Sequence, residues 1–292
     1  MKDFLFLGGD LRFIYAAAKL NKTFDCAVYG FDAISELKGE LPLSGLTMLD
    51  RLERYKNVVL PLPMSRNCDY ITAPYSNKNI PITDVLDAAC EKAHVYCGKA
   101  CPSLRVLCDE NGLELIDYFE REELTVLNAA ITAEGAVEII MRESALTVMN
   151  MNVLVTGYGR IAKVLSNQLR ALGANVTVCA RKCSDLSWAR LAGCSAVHIN
   201  EVESILDGFD TVVNTVPAQI LDKSKLCKLK RDCLIIDLAS KTGLEDMELA
   251  KSAGVKVIWA LSLPGKVAPI TAGEIVADTI INIITEREQE GS

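Results

Sequence analysis

The sequence predicts an α/β protein of two domains, the second of which is a Rossmann-type doubly wound parallel sheet. Three observations support this prediction. Apolar, β-branched runs alternate with helical patterns along the second half of the chain. A glycine-rich stretch, residues 157–162, directly follows one such run and opens a helical pattern. A chain of 292 residues is also long enough for two domains of ordinary size.

The second half of the chain contains six candidate strands separated by helices. The strands are predicted at 153–156, 175–180, 196–199, 211–216, 234–238 and 256–260, and the helices at 160–172, 185–192, 202–206, 223–229 and 244–253. Strands that alternate with helices pair in parallel through crossovers. We therefore expect a dinucleotide-binding domain over residues 151–270.

The glycine-rich stretch has the spacing of a phosphate-binding turn. Gly157 permits the tight turn, Gly159 lets the backbone approach a pyrophosphate, and Ala162 allows the helix to pack closely on the strand. The helix N-terminus then offers free N–H groups to the anion. The alternative is that the glycines merely end a strand. The residues expected to bind the cofactor here are Gly157, Tyr158, Gly159, Arg160 and Ile161.

A basic pair follows the second strand of this domain. Enzymes that bind NAD place an acidic residue there to hold the ribose hydroxyls, but this chain has Arg181 and Lys182. A guanidinium binds a phosphate in bidentate fashion, so the pair predicts NADP as the cofactor. The alternative is a solvated basic pair on the surface.

Two later strand ends and one loop add candidate site residues, because ligands of open α/β sheets bind at the carboxyl ends of strands. The loop, residues 261–273, contains Gly265 and Lys266 between prolines. The strand-end residues expected to bind the cofactor are Asn214, Thr215, Val216, Pro217, Asp237, Leu238, Ala239 and Ser240.

The first half of the chain predicts a second α/β domain, flavodoxin-like or Rossmann-like, over residues 1–130. Strands are expected at 4–7, 26–29, 58–62, 94–96 and 113–117, and helices at 12–20, 82–92 and 103–108. Residues 121–148 have a helical pattern, of which 131–150 is expected to connect the domains. The C-terminal helix, 271–287, is expected to return to the first domain.

Composition limits the kinds of partner. The net charge of −7 argues against nucleic acid or an anionic membrane surface and favours a small-molecule ligand. The N-terminus has neither a signal peptide nor a membrane span, so a cytoplasmic location is expected. Eleven cysteines in such a chain indicate reduced, mostly buried thiols, and no metal site is predicted.

Several motifs together resemble the dipicolinate synthase A-subunit family of spore-forming Firmicutes. They are GGDLR, TAPYSNKNIPI, TAEGAVEI, VLVTGYGRIAKVLSNQLRALGANVTVCARK, NTVPAQIL, IIDLASK and LPGKVAPITAGEI, and they span nearly the whole chain. The resemblance implies NADP-dependent oxidation of dihydrodipicolinate to dipicolinate during sporulation. It also implies a second, flavoprotein-like subunit, the B subunit of the synthase, within a homo- or hetero-oligomer.

Aromatisation of a dihydropyridine requires loss of a hydride and a proton, while the two carboxylates of the substrate are held. Arg12 and Lys266, one from each domain, are the candidate carboxylate-binding cations. Ser76, Asn77, Thr132 and Ser240 are candidate hydrogen-bond donors, and Asp10, Glu134 and Asp237 are candidate proton acceptors. The alternatives are a solvent-facing Arg12 and a surface acid at Glu134. His94 is expected to be structural.

Two other functions remain open from the sequence. The chain could be another two-domain NAD(P)-dependent dehydrogenase that acts on an amino or hydroxy acid. It could also be a catalytically silent dinucleotide-binding scaffold for a flavoprotein.

Overall fold

The computed structural model describes residues 3–34 and 41–290. The chain divides into two compact units, Met1–Leu127 with Ala268–Ser292, and Asn128–Val267. Each unit is built on a six-stranded sheet whose strands all pair in parallel. The predicted fold class, two α/β domains with a Rossmann-type second domain, is confirmed.

Among the described residues, the first unit contains eight strands, four whole α-helices and the start of a fifth. The strands are β1 (Phe4–Leu7), β2 (Cys26–Tyr29), β3 (Thr47–Met48), β4 (Tyr55–Val59), β5 (Tyr70–Ile71), β6 (Ile80–Pro81), β7 (Ala89–Cys97) and β8 (Glu114–Asp117). The helices are α1 (Leu11–Leu20), α2 (Asp84–Ala88), α3 (Pro102–Glu110), the start of α4 (Glu122–Glu143) and α10 (Pro269–Glu290).

The sheet of the first unit has the order β3-β2-β1-β4-β7-β8, which is the doubly wound order of a Rossmann fold. Helices α1 and α10 pack against each other beside it. They approach closely because Gly273 has no side chain: a Cβ there would lie 2.3 Å from the Arg12 carbonyl oxygen. The C-terminal helix thus completes the core of the first unit, with Val276 and Ile280 buried in it.

One predicted helix of the first unit, at 82–92, is wrong in its second half. Helix α2 ends at Ala88, and the chain continues directly as β7. Ala89 pairs with Tyr55 of β4, and after a shift in register His94 pairs with Asn57. Sheet pairing therefore outweighs the local helical pattern. The short antiparallel pair β5 and β6 is too brief to give a periodic signal.

The second unit contains six strands and the remaining helices. The strands are β9 (Asn152–Thr156), β10 (Asn175–Ala180), β11 (Ser195–His198), β12 (Thr211–Asn214), β13 (Leu234–Asp237) and β14 (Lys256–Trp259). The helices are α5 (Arg160–Ala171), α6 (Cys183–Leu191), α7 (Lys223–Leu226), α8 (Met247–Ser252) and α9 (Leu263–Val267), with a 3₁₀ helix at Val202–Gly208.

The sheet order of the second unit is β11-β10-β9-β12-β13-β14, again the doubly wound order. The sheet is buried on both faces, because Val153 and Val155 belong to one apolar cluster and Leu154 to another. Strands with both faces buried are apolar without alternation, which is why the sequence indicates them clearly. The order changes direction at β9, so a crevice is expected beyond its carboxyl end.

Helix α4 ends earlier than the sequence predicts. The helical pattern extends to residue 148, but α4 ends at Glu143 and the Ser144 hydroxyl accepts a hydrogen bond from the Leu146 amide.

By length and composition α4 could cross a membrane. Its residues Ala133, Ala136 and Ile140 are buried in the core of the second unit, which accounts for its apolar character.

Candidate functional site

The turn between β9 and α5 depends on Gly157. Its φ is +85°, and a Cβ there would lie 2.7 Å from Val216 Cγ2 and 2.8 Å from Thr215 Oγ1. Its amide donates to the Cys179 carbonyl at 2.7 Å, which ties the turn to β10. Only glycine fits both the backbone conformation and the space.

Gly159 serves a different purpose. It is the N-cap of α5 with extended backbone, and a Cβ there would meet nothing within 4 Å. As a glycine, it has no side chain of its own to cap the first amides of this twelve-residue helix. The space over Gly159 and the partial positive charge of the helix end together suit an anionic group. Behind them Ala162 is fully buried, so α5 packs closely on the sheet.

Next to this turn lies a pocket of about 260 Å³. It borders the carboxyl ends of β9, β10 and β12, where the strand order changes direction. Burial raises the pKa of the Cys179 thiol to about 11, so the pocket wall carries no thiolate near neutral pH. The lining residues are Gly157, Tyr158, Gly159, Cys179, Ala180, Arg181, Lys182, Asp185, Ile199, Thr215, Val216, Pro217 and Ile220.

The basic pair predicted to select NADP lines this pocket. Arg181 and Lys182 are both exposed, and none of the ion pairs formed within residues 3–34 and 41–290 includes either side chain. The Arg181 carbonyl accepts a hydrogen bond from His198 Nε2 at 3.1 Å, an assignment that requires the Nε2–H tautomer. Asp185, on α6, is an acid that the sequence pattern did not assign to the pocket.

Most of the other cofactor-binding candidates fall into two groups. Tyr158, Thr215, Val216 and Pro217 line the pocket. Arg160 is exposed on the first turn of α5, and Ile161 packs against the apolar core of the unit. Apart from Asp185, the lining residues that sequence reasoning missed, Ile199 and Ile220 among them, are apolar, and their place on the wall depends on tertiary position.

Asn214 and Asp237 lie beneath the loops, not on the pocket wall. Both side chains are fully buried, and Asn214 Nδ2 donates to Asp237 Oδ1 at 2.8 Å. Thr156 Oγ1 donates to Asn214 Oδ1 at 2.6 Å. Asp237 also accepts from the amides of Ala239 and Gly243. This network fixes the loops that follow β12 and β13, and the expectation that Asn214 and Asp237 contact the cofactor stays a prediction.

The rest of the predicted 237–240 segment is also away from the pocket. Leu238 and Ala239 are buried, Ser240 is exposed, and none of the three lines the cavity. A strand end predicts that a segment lies at the correct edge of a sheet. It does not predict which side chains of the segment face the ligand.

Arg12 is buried and already paired in the first unit. It is 5% exposed, and its guanidinium contacts the Asp10 carboxylate through Nε at 2.9 Å and Nη2 at 2.8 Å. Nη2 also donates to the Leu62 carbonyl at 2.5 Å. Asp10 is in addition the N-cap of α1, accepting from the Arg12 amide. The alternative of a solvent-facing Arg12 is therefore wrong, and Asp10 and Arg12 form one structural unit.

The remaining candidates are dispersed. Ser76 Oγ lies 3.4 Å from Asp32 Oδ2, and Asn77 donates its amide to the same carboxylate. Thr132 bonds within its helix to the Asn128 carbonyl, and Glu134 is exposed on α4. The structure thus brings together Asp10 and Arg12 in the first unit and the glycine turn with the basic pair in the second.

Lys266 lies on a helix, although its segment was expected to be a loop. It is exposed on α9, whose residues Leu263 and Pro264 are buried. With Arg142 and Trp259 it lines a second cavity of this unit, of about 480 Å³. Trp259 is held by a hydrogen bond from Nε1 to the Ala239 carbonyl at 2.9 Å. Sequence reasoning missed Arg142 and Trp259 because they come from distant elements.

His94 makes two contacts typical of a structural histidine. Its Nδ1 lies 3.2 Å from Asn57 Oδ1, and its Nε2 lies 3.2 Å from Glu114 Oε2. These contacts join the edge strand β8 to β7 and β4. Within the described residues, no group of three or more His, Cys, Asp or Glu side chains is arranged to hold a metal ion.

Comparison with known proteins finds one similarity that extends over both halves of the chain. Residues 3–119 match the family model of the N-terminal domain of the dipicolinate synthase A subunit. Over 289 residues the chain is 28% identical to the dipicolinate synthase A subunit of Bacillus subtilis (strain 168), covering 97% of this chain and 96% of that protein.

Solved structures agree with this relation. The dipicolinate synthase A subunit from Bacillus halodurans is 28% identical, with a TM-score of 0.84 over 97% of both chains. A transhydrogenase from Sinorhizobium meliloti shares the fold, with 13% identity and a TM-score of 0.69 over 97% of this chain and 93% of that chain. The chain is therefore similar to the dipicolinate synthase A subunit along nearly its whole length, as its motifs predicted, and residues 3–119 match the N-terminal domain of that family.

Proposed function

We propose that this chain is an NADP-dependent oxidoreductase that converts dihydrodipicolinate to dipicolinate during sporulation. The observation that carries the proposal is the likeness to the dipicolinate synthase A subunit over 97% of the chain. A likeness of this extent includes both the unit with the glycine turn and the unit with the GGDLR motif, so it concerns the whole protein and not a shared nucleotide domain alone.

The second unit fits a dinucleotide. The N-terminus of α5, which begins after a glycine N-cap, and the open space over Gly159 would receive the pyrophosphate. Arg181 and Lys182 would receive the 2'-phosphate of the adenosine ribose, since both are exposed and line the same pocket. When bound, the nicotinamide of NADP supplies the hydride acceptor.

The substrate contacts are proposed on chemical grounds. A pyridine dicarboxylate needs cationic partners, and Lys266 is an exposed cation beside a cavity. Arg12 would contact a substrate carboxylate as part of the Asp10–Arg12 pair, because its guanidinium is already bound to the Asp10 carboxylate. The proton released on aromatisation would pass to a carboxylate. Asp10 and the exposed Glu134 are the candidates, and Ser76 is a candidate hydrogen-bond donor.

We further propose that the chain works in the cytoplasm with a flavoprotein-like second subunit. The reaction class gives a chemical reason for a partner: a dihydropyridine ring is easily oxidised, and a partner that shields it from solvent would raise the yield of the enzymatic product. The acidic net charge of −7 is consistent with a dissolved small molecule as the substrate.

The test is a turnover assay with freshly generated dihydrodipicolinate. We expect dipicolinate, followed by its ultraviolet absorbance, to form with NADP at a rate above the uncatalysed oxidation, and NADPH to appear in equal amounts. Parallel reactions with NAD, without nucleotide, and with and without the second subunit separate the requirements.

Two outcomes would select the other functions. Reduction of NADP by an amino or hydroxy acid, with no dipicolinate formed, would identify a different dehydrogenase. Tight NADPH binding with no turnover of any of these substrates, even with the second subunit present, would identify a dinucleotide-binding scaffold.

A further inference from the structure

We propose that His198 sets how strongly the dinucleotide pocket prefers a 2'-phosphorylated nucleotide, by holding the backbone of Arg181 in place. The lining residues of the pocket do not include His198. It therefore acts through the basic pair, Arg181 and Lys182, and is a positioning residue. This role rests on the proposed function, because it requires that the two cations receive the 2'-phosphate of NADP.

The basic pair lies in a very short connection. Strand β10 ends at Ala180 and helix α6 begins at Cys183. Arg181 and Lys182 are therefore the whole link between the strand and the helix. The Lys182 carbonyl accepts a hydrogen bond from the Leu186 amide at 3.2 Å, which joins it to the first turn of α6. The Arg181 carbonyl belongs to neither element and needs another partner.

The end of the neighbouring strand β11 supplies that partner. His198 pairs with Ala180 in the parallel ladder, and the Ile199 amide donates to the Ala180 carbonyl at 3.2 Å. One residue further along, a side chain takes over: His198 Nε2 donates to the Arg181 carbonyl at 3.1 Å. Within residues 3–34 and 41–290, that carbonyl accepts no other hydrogen bond. The imidazole thus extends the pairing of β10 and β11 into the connection.

A second hydrogen bond fixes the orientation and the tautomer of the ring. The Asn200 amide donates to His198 Nδ1 at 3.3 Å. Nδ1 therefore accepts, and the proton of the neutral imidazole lies on Nε2, where it is donated to the Arg181 carbonyl. The His198 carbonyl in turn accepts from the Glu201 amide at 2.9 Å, so the turn after β11 also holds the backbone that carries the ring. The ring is held at both nitrogens.

The position of the Arg181 peptide group matters because the cations beside it have no other restraint. Both side chains of the basic pair are exposed, and none of the ion pairs within the described ranges includes either of them. An unpaired long side chain samples many rotamers, so its average position depends on the backbone from which it starts. Fixing that backbone in advance leaves less ordering for a phosphate to impose, and this strengthens binding.

Two substitutions separate the two hydrogen bonds of the ring. His198→Asn keeps an oxygen that can accept from the Asn200 amide, but its side chain is too short to reach the Arg181 carbonyl. His198→Gln is one methylene longer and places an amide N–H near the position of the imidazole Nε2. The first variant thus loses the contact to Arg181, and the second keeps it.

The test titrates the whole protein with NADPH and with NADH, which differ only in the 2'-phosphate. We expect His198→Asn to weaken NADPH binding about three- to tenfold and His198→Gln to stay within about twofold of the parent, with NADH affinity unchanged in both. In a background of Arg181→Ala and Lys182→Ala, His198→Asn should cause no further loss, because the cations through which it acts are absent. His94→Asn, at the other histidine of the chain and in the first unit, is the matched control and should change neither affinity.

Failure of this role is distinguishable from failure of the proposed function. A preference for NADPH that His198→Asn leaves intact, or an equal loss in His198→Asn and His198→Gln, would overturn the role of His198 while the assignment of NADP stands. A further loss from His198→Asn in the background without the two cations would also overturn it, since it would show a general effect on the pocket. Equal affinities of the parent for NADPH and NADH would overturn the assignment of NADP and this role with it. A parent that prefers NADPH but does not oxidise dihydrodipicolinate would contradict the proposed reaction alone.

Discussion

At the scale of single residues, charge decides which nucleotide fits the pocket. An acid at the end of the second Rossmann strand would accept hydrogen bonds from ribose hydroxyls and repel a 2'-phosphate. Here Ala180 ends β10 and two cations follow, with no carboxylate paired to them within the described ranges. Asp185 lies one helical turn further along, on the same pocket wall. This local charge is the reason for the proposed preference for the phosphorylated nucleotide.

Arg181→Ala is therefore expected to narrow the preference for NADPH over NADH. Loss of one charge-assisted contact corresponds to about 1.5 to 3 kcal/mol, or roughly ten- to hundredfold in NADPH affinity, with NADH affinity nearly unchanged. Fluorescence titration with each nucleotide measures both values. Arg231→Ala, at an exposed arginine outside the pocket, is the control. Equal affinities for NADPH and NADH in the parent protein would contradict the assignment.

The Asp10–Arg12 pair leads to a prediction about stability. Arg12→Ala would leave the Asp10 carboxylate without its cation and the Leu62 carbonyl without a donor. Because Asp10 is 26% exposed, water would partly replace the arginine, and we expect a loss of about 2 to 3 kcal/mol in the free energy of unfolding. Urea unfolding followed by circular dichroism measures the change.

A double-mutant cycle separates this pairing from other effects of Arg12. If the pair is the cause, Asp10→Ala and Arg12→Ala together should cost clearly less than the sum of the two single changes. Additive losses would mean that the two side chains stabilise the unit independently. Turnover measured on the folded variant then reports whether Arg12 also contributes to substrate binding.

At the scale of elements, the β9–α5 turn separates a glycine needed for folding from one suited to a ligand. Gly157 has positive φ and neighbours at 2.7 and 2.8 Å, whereas Gly159 has extended backbone and free space. The sequence motif does not distinguish them, because both positions show only a glycine. The backbone conformation and the surrounding space give each glycine its own physical reason.

Gly157→Ala should destabilise the second unit by about 2 kcal/mol or more, since the new methyl group meets Val216 and the backbone conformation is strained.

Gly159→Ala should change stability by no more than about 0.5 kcal/mol but weaken NADPH binding about tenfold or more, because its methyl group would fill the space for the pyrophosphate. Both tryptophans, Trp188 and Trp259, lie in this unit and report its unfolding.

Gly208→Ala is the matched control, because a Cβ at that position also meets nothing within 4 Å and the residue does not line the pocket. It should leave both stability and NADPH affinity unchanged. If Gly159→Ala binds NADPH as well as Gly208→Ala does, the pyrophosphate does not lie over α5.

How much the sequence predicts also depends on the element. The sequence predicts the strands of the second sheet to within two residues at their ends, because a buried parallel strand is a continuous apolar run. It predicts helix for the first half of β7, since residues Ala89 to Lys92 become a strand only by pairing with β4. The glycine turn is likewise visible from local spacing. Asp237 and Arg12 each also bond to a partner distant in sequence, Asn214 and the Leu62 carbonyl respectively, and spacing does not encode such contacts.

At the scale of the whole molecule, one strand order occurs twice with different results. In the second unit the end of β9 opens on the pocket, with Gly157 and Gly159 at its edge. In the first unit, the amide of Gly9 after β1 bonds to the chain's own Thr72 carbonyl, and a Cβ on Gly8 would lie 3.0 Å from that oxygen. The equivalent crevice is thus filled by the segment around β5. Topology positions a site, but only an unfilled crevice can bind a nucleotide.

The two units also differ in how the chain builds them, which leads to a prediction about fragments. The second unit is the continuous segment Asn128–Val267 and contains every residue that lines the pocket. It has apolar cores on both faces of its sheet. We therefore expect a fragment of residues 128–267 to unfold cooperatively and to bind NADPH within about threefold of the affinity of the whole chain.

The first unit should not tolerate the same separation, because α10 supplies Val276, Ala277, Ile280 and Ile283 to its core. Residues 1–127 alone are expected to lose cooperative unfolding, since removing several buried aliphatic side chains costs more than the stability of an ordinary domain. Joining residues 268–292 to residue 127 through a flexible Gly/Ser linker should restore a cooperative transition in urea. A cooperative transition for residues 1–127 without α10, at the same urea midpoint as the linked form, would show that the first unit does not need its C-terminal helix.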